Sequence, residues 1–360
     1  MLDNLKEFFD KDENLLPYSI GALLYTPADN EKLSNYILEE RFGKNYTQAL
    51  CLEDTIPDKE LEKAEDILVN TIKELARKAK ESYAYYPKIF ARVRDGKSMK
   101  RIHERLKEAE TEFKKSGYIE RNRKKSLQDY EEGKFSITTN RLLTGYIFPK
   151  FSLETAGDFL QALMEINKDS DEKIYGMPIL ESKDLLDISQ RGERLNGIKN
   201  QLDSVKEYIL NVRVGGNDLC NYFGIRRTLK NTIYDIRCVS NILGDIVTQF
   251  TPDYVVSGPV WEYFGGEGYK EAMKKEVELD ILNGFIGKTV IHPNQIEVVT
   301  DTLKISREDY LDALNILEIA LEKGGGVGRS LNRVRMDEYK THYNWALKCL
   351  IISKIYGKKY

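Results

Sequence analysis

Eight short apolar runs rich in β-forming residues recur along this chain of 360 residues, and helical patterns lie between them. Strands that alternate with helices predict a parallel sheet joined by crossover helices. Several of the runs are apolar throughout, as expected of strands that are buried on both faces. The runs are IGALLY, QALCLE, KIFARV, TGYIFP, IYGMPILE, ILNVRV, DYVVSG and IGKTVI. Eight such units predict an α/β protein with one (β/α)8 TIM barrel, and the chain is long enough for additions to it.

Two segments do not fit this alternation. Residues 96–140 carry densely mixed charges and include the basic cluster RNRKK at 121–125, which predicts a charged helical insertion after strand 3. A solvated hairpin is the expected role of this insertion, and contact with phosphate or RNA is the alternative. The motif GGGVGRS at 324–330 lacks the ending of a phosphate-binding loop and predicts a flexible joint. We therefore expect a barrel domain over 1–323 and a C-terminal helical segment over 324–360 that can pack on a neighbouring subunit.

Charge balance and the N-terminal sequence restrict the partners and the location. The 55 basic and 58 acidic side chains nearly cancel, so no overall field attracts nucleic acid. The opening MLDNLKEFFDKDENLLPY is acidic and lacks the pattern of a signal peptide, and no apolar run is long enough to span a membrane. The four cysteines are irregularly spaced and match neither a disulfide framework nor a zinc site. These features predict a cytoplasmic protein with neither a membrane nor nucleic acid as partner.

Polar residues follow most of the predicted strands at their carboxyl ends. In a parallel barrel these ends, and the loops after them, open onto one face, and reactive groups gather there. Carboxylates and cations are therefore expected side by side at one rim. The candidates are Glu53, Asp54, Arg92, Arg94, Lys150, Glu181, Asp218 and His292.

Glu181 and Asp218 end two consecutive predicted strands and are candidate metal ligands. Neighbouring strands lie about 4.8 Å apart, so both carboxylates can reach one small cation. Two carboxylates, with water and substrate oxygens in the other positions, are the usual way in which proteins hold Mg2+. A strand-end aspartate such as Asp218 also often caps a helix, which is the alternative role.

The stretch VRVGGNDLCNYFG at 212–224 changes from a strand to two glycines just before the candidate ligand Asp218. Without side chains, Gly215 and Gly216 would let a substrate carboxylate approach backbone N–H groups. Asn217 lies in the same turn and is a further candidate for substrate binding. We therefore predict an anion-binding turn beside the metal ligand.

Arg92 follows the apolar strand KIFA and is the candidate for gripping a 2-oxo acid. A guanidinium near a metal can hold the substrate carboxylate or the oxygen that becomes an enolate. A salt bridge to Glu53 or Asp54 is a second role, and the two roles are compatible. Arg94 has the same parity along the strand and is expected further out.

Taken together, the motifs at the strand ends resemble those of the HpcH/HpaI aldolase and citrate lyase beta subunit superfamily. CLEDTIPDK resembles the family's Leu-Glu-Asp motif followed by Pro and Lys. The motifs occur in the family's order over most of the chain, as GALLYTPADNEKL, CLEDTIPDK, ARVR, IFPK, PILES, VGGNDL and GKTVIHPNQI. The resemblance implies a metal-dependent carbon–carbon lyase on a (β/α)8 barrel.

The resemblance also implies roles for individual residues. Glu181 and Asp218 would bind Mg2+, or Mn2+ in its place, and Arg92 would steady the oxo-acid substrate. Glu53 and Asp54 would order the arginine and metal-bound water around it.

In related acyl-thioester enzymes an aspartate of the C-terminal segment reaches into the neighbouring subunit's site as acid or base. Asp337 is the nearest match, so the resemblance implies a homo-oligomer. Tyr18 and Ser19 stand where the family commonly has Arg-Ser, and Cys51 stands where it often has Asp. These departures leave the use of a coenzyme A thioester open. They place the chain with a divergent branch, described as citrate-lyase-like proteins of bacterial tellurium-resistance or stress clusters.

These observations predict reversible aldol or Claisen-type cleavage of a small oxo-acid, hydroxy-acid or acyl thioester. The metal and Arg92 would stabilise an enolate while a base removes the proton of the neighbouring hydroxyl, and Lys150 would assist substrate binding. Phosphoenolpyruvate chemistry or thioester hydrolysis on the same barrel is the first alternative. A catalytically silent barrel used as a scaffold is the second.

Overall fold

The computed structural model of the protein describes residues 8–9, 11–122, 139–323, 327–329 and 336–359. Eight parallel strands form one sheet with the order β7-β6-β5-β4-β3-β2-β1-β8. Hydrogen bonds also join the two ends of this sheet, from Gly258 N to Gly287 O at 2.9 Å and from Ile286 N to Val256 O at 2.8 Å. The predicted TIM barrel is therefore confirmed. Its strands are β1 (Ala22–Pro27), β2 (Thr47–Cys51), β3 (Lys88–Arg92), β4 (Leu143–Phe148), β5 (Tyr175–Leu180), β6 (Val212–Val214), β7 (Val256–Ser257) and β8 (Lys288–Val290).

Helices connect the strands and continue beyond the last one. Those up to β8 are α1 (Asp12–Leu15), α2 (Leu33–Leu38), α3 (Leu61–Lys78), α4 (Gly96–Lys115), α5 (Leu153–Lys168), α6 (Arg191–Asp203), α7 (Gly216–Tyr222), α8 (Arg237–Phe250) and α9 (Tyr269–Leu282). After β8 come α10 (Ile296–Leu303), α11 (Arg307–Lys323) and α12 (Tyr339–Tyr356). Short 3-10 turns lie at Leu16–Ile20, Asp58–Glu60, Lys183–Leu186, Lys206–Tyr208, Ile233–Asp235 and Pro293–Gln295. Within the described ranges, no helix has the length and apolarity needed to cross a bilayer.

Side chains alternate along the barrel strands between two environments. One set, which includes Leu50, Ala91 and Leu180, lies in the hydrophobic core with the apolar faces of the helices. The other set faces the barrel axis, because successive residues of a strand point to opposite faces. Arg213 shows this directly, since its Nη2 on β6 donates to Thr289 Oγ1 on β8 at 2.8 Å. Polar residues of the inward set, such as Arg213, are therefore enclosed by the barrel.

The charged segment after β3 differs from the predicted insertion. Residues 96–115 form α4, which is the barrel helix that follows β3, and Asp95 caps its N-terminus by accepting from Ser98 N at 2.7 Å. Contacts to both neighbouring helices hold α4 in place, from Ser98 Oγ to Glu65 of α3 at 2.6 Å and from Lys100 Nζ to Glu165 of α5 at 2.9 Å. A narrow apolar stripe faces the core, made of Met99, Ile102, Leu106, Ala109 and Phe113. The predicted insertion is thus wrong over these residues, and most of RNRKK lies outside the described residues.

The predicted boundary at 324 also needs correction. One compact unit comprises Ile20–Asn122 and Thr138–Val299, and the other contains the residues up to Ser19 and those from Thr300 onward. In the second unit α11 packs on α12 of the same chain, through Ala313, Ile316, Leu317, Ala346 and Cys349. Val327–Arg329, inside the predicted flexible joint, form strand β9 and pair with β10 (Met336–Glu338). The remaining residues of GGGVGRS lie outside the described residues.

Candidate active site

Arg92, the last residue of β3, is the centre of a cluster of acids at the carboxyl end of the barrel. Its side chain is nearly buried, and Nη2 lies 2.8 Å from Glu53 Oε2. Asp54 Oδ2 lies 3.1 Å from Nη1, and Glu181 Oε1 lies 3.4 Å from Nη2. The structure thus brings together four of the predicted site residues. The ion pairs with Glu53 and Asp54 hold the guanidinium in one orientation.

Lys150 completes this cluster from the loop after β4. Its Nζ donates to Glu53 Oε1 at 2.5 Å and to Asp54 Oδ1 at 3.1 Å, and these contacts raise the pKa of the amine. Its backbone N–H donates to Glu181 Oε1 at 2.9 Å. Lys150 has a φ of 49°, a left-handed conformation that costs a residue with a side chain roughly 1–3 kcal/mol. The surrounding contacts therefore stabilise an unfavourable turn that aims this N–H at the acid.

Asp54 is held in its charged form, although it stands at a half-exposed position. Burial alone would raise its pKa, but contacts with Glu53, Arg92 and Lys150 outweigh burial and lower that pKa to about 2. Asp54 and Glu53 also line a cleft of about 490 Å³, together with Arg94, Asp58, Ile56, Pro149, Lys150, Thr155 and Phe159. The cleft therefore presents fixed charges of both signs to a small polar ligand.

Glu181 is the most deeply buried acid of the cluster, with 2% of its surface exposed. Burial raises its pKa to about 8, the negative charge of Asp218 adds to this shift, and the positive charge of Arg92 opposes it. Asp218 lies in the first turn of α7, directly after β6, which pairs with β5. The two acids are thus close enough to interact electrostatically across neighbouring strands. Such a pair is costly in the absence of a cation.

The raised pKa of Glu181 predicts a pH dependence of stability in metal-free protein. The folded state keeps a proton on Glu181 between the ordinary pKa of 4.5 and about 8, whereas the unfolded state releases it. Stability from this group is therefore present at low pH and lost as pH rises towards 8. As pH rises over this range, the free energy of unfolding of Glu181→Gln should therefore increase relative to that of the wild type. Urea titrations with chelator at several pH values would measure the difference, and a pH-independent difference would contradict the assignment.

Gly215 does not have the predicted role of presenting a free N–H to an anion. Its N–H donates to Leu180 O at 3.2 Å and so belongs to the barrel hydrogen bonds. Its missing side chain leaves room for Glu181 instead, because a Cβ at this position would overlap the Glu181 carboxylate. A Cβ on Gly216 would press on Ile233 and Pro259. The two glycines thus permit close packing around the acid pair.

Replacement of Gly215 by alanine should disturb the acid pair more than it disturbs the fold. The added methyl group forces the Glu181 carboxylate away from its position, and overpacking of this kind costs about 1–3 kcal/mol. We expect Mg2+ affinity, measured by calorimetry, to fall by roughly 10-fold or more. Gly157→Ala on the exposed face of α5 is the matched control, since nothing lies within 4 Å of a Cβ there. Equal Mg2+ affinity of Gly215→Ala and wild type would show that Glu181 is not a ligand.

Asn217 is engaged within the protein. Its Oδ1 accepts from Nη2 of Arg227 at 3.0 Å, and the same nitrogen donates to Val260 O at 2.6 Å. Arg227 is buried and paired with Glu276, with Nη1 2.7 Å from Oε1. The described contacts of Asn217 therefore tie the start of α7 to the loop after β7, and its predicted contact with substrate stays a prediction.

The other candidates are held by contacts outside the acid cluster. Arg94 donates from Nε to Leu52 O at 2.8 Å and holds the loop after β2. His292 stacks on Phe264 with 4.7 Å between ring centroids, and its Nδ1 accepts from Asn294 N. Asp337 is on β10, opposite Gly328 of β9, and its side chain lies outside the described residues. Its predicted role as acid or base stays a prediction.

Sequence reasoning missed two inward-facing residues near Arg92. Tyr25 on β1 has its ring centroid 5.7 Å from Arg92 Cζ. Arg213 on β6 is buried on the same inner face of the barrel, with 1% of its surface exposed. The signal for Arg213 was present, because VRV places a charged residue at the centre of a three-residue strand between two outward-facing valines.

The donor set fits a hard cation held by few protein ligands. Glu181 and Asp218 supply carboxylate oxygens, which Mg2+ prefers. Among the described residues there is no group of three or more His, Cys, Asp and Glu side chains arranged to hold a metal ion. A cation here would therefore take most of its ligands from water and substrate, which is the usual arrangement for Mg2+.

Comparison with known proteins identifies the family. A family model described as C–C bond lyase of the TIM-barrel fold matches residues 14–119 and 121–358. The chain belongs to this family. The match covers all eight barrel strands and also α11 and α12. The TIM-barrel C–C bond lyase family thus accounts for both compact units. No curated protein matches the chain in sequence.

Solved structures share the fold at low sequence identity. A citrate lyase from Burkholderia xenovorans has a TM-score of 0.64 and 12% identity, covering 94% of this chain and 93% of that one. The CitE protein of Mycobacterium tuberculosis, solved with magnesium, acetoacetate and coenzyme A, has a TM-score of 0.55 and 15% identity. That alignment covers 93% of this chain and 99% of the other. These similarities support the fold of the C–C bond lyase family.

Proposed function

We propose that this C–C bond lyase is a Mg2+-dependent enzyme that cleaves or forms a carbon–carbon bond through an enolate. Its substrate is a small oxo-acid, a hydroxy-acid or an acyl thioester of one. The observation that carries the proposal is the buried contact between Arg92 and Glu181, 3.4 Å apart, beside Asp218 at the open end of the barrel. A buried cation and an acid pair at this position are typical of sites that stabilise developing negative charge.

Arg92 supplies hydrogen-bond donors to the reacting oxygen. Its Nε has no hydrogen-bond partner among the described residues, although the side chain is buried. Buried donors of this kind normally have a partner, so Nε is the donor of Arg92 that the described residues leave available. Glu53 and Asp54 orient the guanidinium, and Lys150 is proposed to contact a substrate carboxylate from the same rim.

Glu181 and Asp218 are the residues that would hold Mg2+. When bound, Mg2+ supplies positive charge that polarises substrate oxygens and favours an enolate. The N–H of Lys150 and the side chain of Arg92 each contact Glu181 Oε1 and fix the orientation of this carboxylate. A carboxylate whose orientation is already fixed loses less conformational entropy when it binds a cation.

The finer parts of the proposal concern cofactor, assembly and location. The M. tuberculosis CitE structure contains coenzyme A, which supports an acyl thioester as one of the substrate classes here. We propose a cytoplasmic homo-oligomer in which Asp337 of one subunit serves the neighbouring site as acid or base. Gel filtration with light scattering tests the oligomer, and Asp337→Asn tests the residue.

Calorimetry with Mg2+ and pyruvate or oxaloacetate tests the proposal first. We expect binding of the oxo-acid only when Mg2+ is present, because the acids and Arg92 form a site only together with a cation. A scaffold barrel would give no metal-dependent heat. Product analysis with oxo-acids, hydroxy-acids and their thioesters then separates bond cleavage from the alternatives. Turnover of phosphoenolpyruvate or simple thioester hydrolysis, without carbon–carbon cleavage, would overturn the lyase assignment.

A further inference from the structure

Tyr25 lies between two guanidinium groups on the inner face of the barrel. Arg92 Cζ is 5.7 Å from the centroid of the Tyr25 ring, and Arg213 lies beside the Tyr25 hydroxyl. Burial raises the pKa of Tyr25, whereas the positive charges of Arg213 and Arg92 oppose this shift. The phenol therefore keeps its proton at neutral pH, and the two cations favour the phenolate that would form if the proton left.

Arg213 has a different environment from the other buried arginines of the barrel. Its described hydrogen bonds go to neutral groups, from Nη2 to Thr289 Oγ1 at 2.8 Å and from Nη1 to Asn211 Oδ1 at 3.4 Å. Arg92 and Arg227 have carboxylates within 3.1 Å, but no carboxylate oxygen of the described chain lies within 4 Å of Arg213. Its Nε also has no hydrogen-bond partner among the described residues. A buried charge without a counter-ion lowers the stability of a protein. A contribution to folding therefore does not explain an arginine at position 213.

Hydrogen-bond chemistry gives a direction to the contact between Arg213 and Tyr25. A guanidinium has N–H donors and no acceptor, so the phenol oxygen can only accept from Arg213. The hydroxyl hydrogen of Tyr25 must then point to another group. The Tyr25 side chain is half-buried on β1, and its ring centroid lies 5.7 Å from Arg92 Cζ. A ligand held by Arg92 can therefore lie next to a phenol that is ready to donate.

We propose that Tyr25 is the catalytic proton donor of this site and that Arg213 is the residue that positions it. This inference rests on the proposed enolate chemistry and adds the group that protonates the enolate. Tyr25 stands on β1, which β2 separates from Arg92 on β3, and its ring centroid lies 5.7 Å from Arg92 Cζ on the inner face of the barrel.

The step balances in protons and electrons. In the cleavage direction, a base takes the hydroxyl proton, the carbon–carbon bond breaks, and its electron pair enters the enolate. The enolate carbon then takes the proton from the Tyr25 oxygen, which leaves a phenolate next to Arg213 and Arg92. The proton held by the base returns to the phenolate directly or through water, so the protein is restored. In the condensation direction, the phenolate takes the proton from the same carbon.

Hydrogen exchange at the methyl group of pyruvate tests this step without a full reaction. Wild type with Mg2+ and pyruvate in deuterium oxide should replace the methyl hydrogens by deuterium, which proton NMR follows. Tyr25→Phe removes one oxygen atom and should slow exchange by roughly 100-fold or more, as expected for loss of a proton-transfer group. Calorimetry with Mg2+ and oxalate, which has the shape and charge of the pyruvate enolate, gives a readout independent of turnover. Tyr25→Phe should keep oxalate affinity within about 3-fold.

Two further variants separate a direct role from a structural one. Tyr36→Phe removes the same oxygen from a tyrosine of α2, outside the proposed site, and should exchange like wild type. Arg213→Lys keeps a positive charge and should retain part of the exchange, whereas Arg213→Met should lose as much as Tyr25→Phe. If Arg213→Met fails to fold, the comparison of Tyr25→Phe with Tyr36→Phe still decides the question.

Each outcome has a definite meaning. Wild-type exchange in Tyr25→Phe would overturn the inference and leave the proposed function intact. Equal losses of exchange and of oxalate affinity in Tyr25→Phe would also overturn it, because the phenol would then be a binding group only. A wild type that neither binds oxalate with Mg2+ nor exchanges pyruvate would remove the proposed function, and the inference with it.

Discussion

Glu181→Gln and Asp218→Asn should each lower Mg2+-dependent turnover by about 100-fold or more while leaving the fold intact. Each variant replaces a carboxylate by an amide of the same shape, which is a much weaker ligand for Mg2+. The fold should tolerate the change, because burial already favours the neutral form of Glu181. An amide oxygen at position 181 can also still accept from Lys150 N and from Arg92 Nη2.

The measurement combines steady-state kinetics, Mg2+ calorimetry and thermal unfolding. Asp184→Asn is a suitable control, because Asp184 lies just after Glu181 in sequence and pairs with Arg194 at 3.2 Å. We expect this control to keep turnover and Mg2+ affinity. Wild-type activity in either Glu181→Gln or Asp218→Asn would show that the metal is bound elsewhere or not at all.

Lys288→Met should destabilise the protein by about 3 kcal/mol, even though residue 288 does not contact the acid cluster. Lys288 on β8 is fully buried, and its Nζ lies 2.9 Å from Glu276 Oε1 and 2.6 Å from Asp280 Oδ2 of α9. Removal of the amine leaves two buried acids with less positive charge around them. Asp280 can take up a proton, since burial raises its pKa to about 6, and this limits the loss.

Urea unfolding at neutral pH measures this effect. Lys100→Met removes an exposed lysine at the same distance from its partner Glu165, 2.9 Å, and should cost less than about 1 kcal/mol. The double variant Lys288→Met with Asp280→Leu should destabilise the protein by less than the sum of the two single changes. The reason is that Asp280→Leu removes a carboxylate that Lys288→Met leaves without its amine. A loss below about 1 kcal/mol for Lys288→Met alone would show that this network does not hold α9 to the barrel.

The strand ends illustrate how far local sequence determined this protein. Runs such as IGALLY and IYGMPILE are apolar over most of their length, and burial between helices is the only stable environment for them, so the barrel was predictable. Because all strands of a parallel barrel end on one face, the meeting of Arg92, Glu53 and Glu181 was predictable as well. The role of α4 as a barrel helix was not, because its dense charge indicated an insertion, whereas an apolar stripe of five residues is enough to bury one face of a 20-residue helix.

Only the tertiary structure decided which partners these groups have. The left-handed turn at Lys150, the space that Gly215 leaves for Glu181, and the position of Arg213 without a carboxylate neighbour depend on contacts between strands far apart in sequence. Periodicity along the chain reports which face of an element is buried, and it carries no information on the atom that lies opposite. The sequence by itself therefore determined the barrel and the rim where its acids gather, whereas packing across the barrel axis decided which donors and charges face one another.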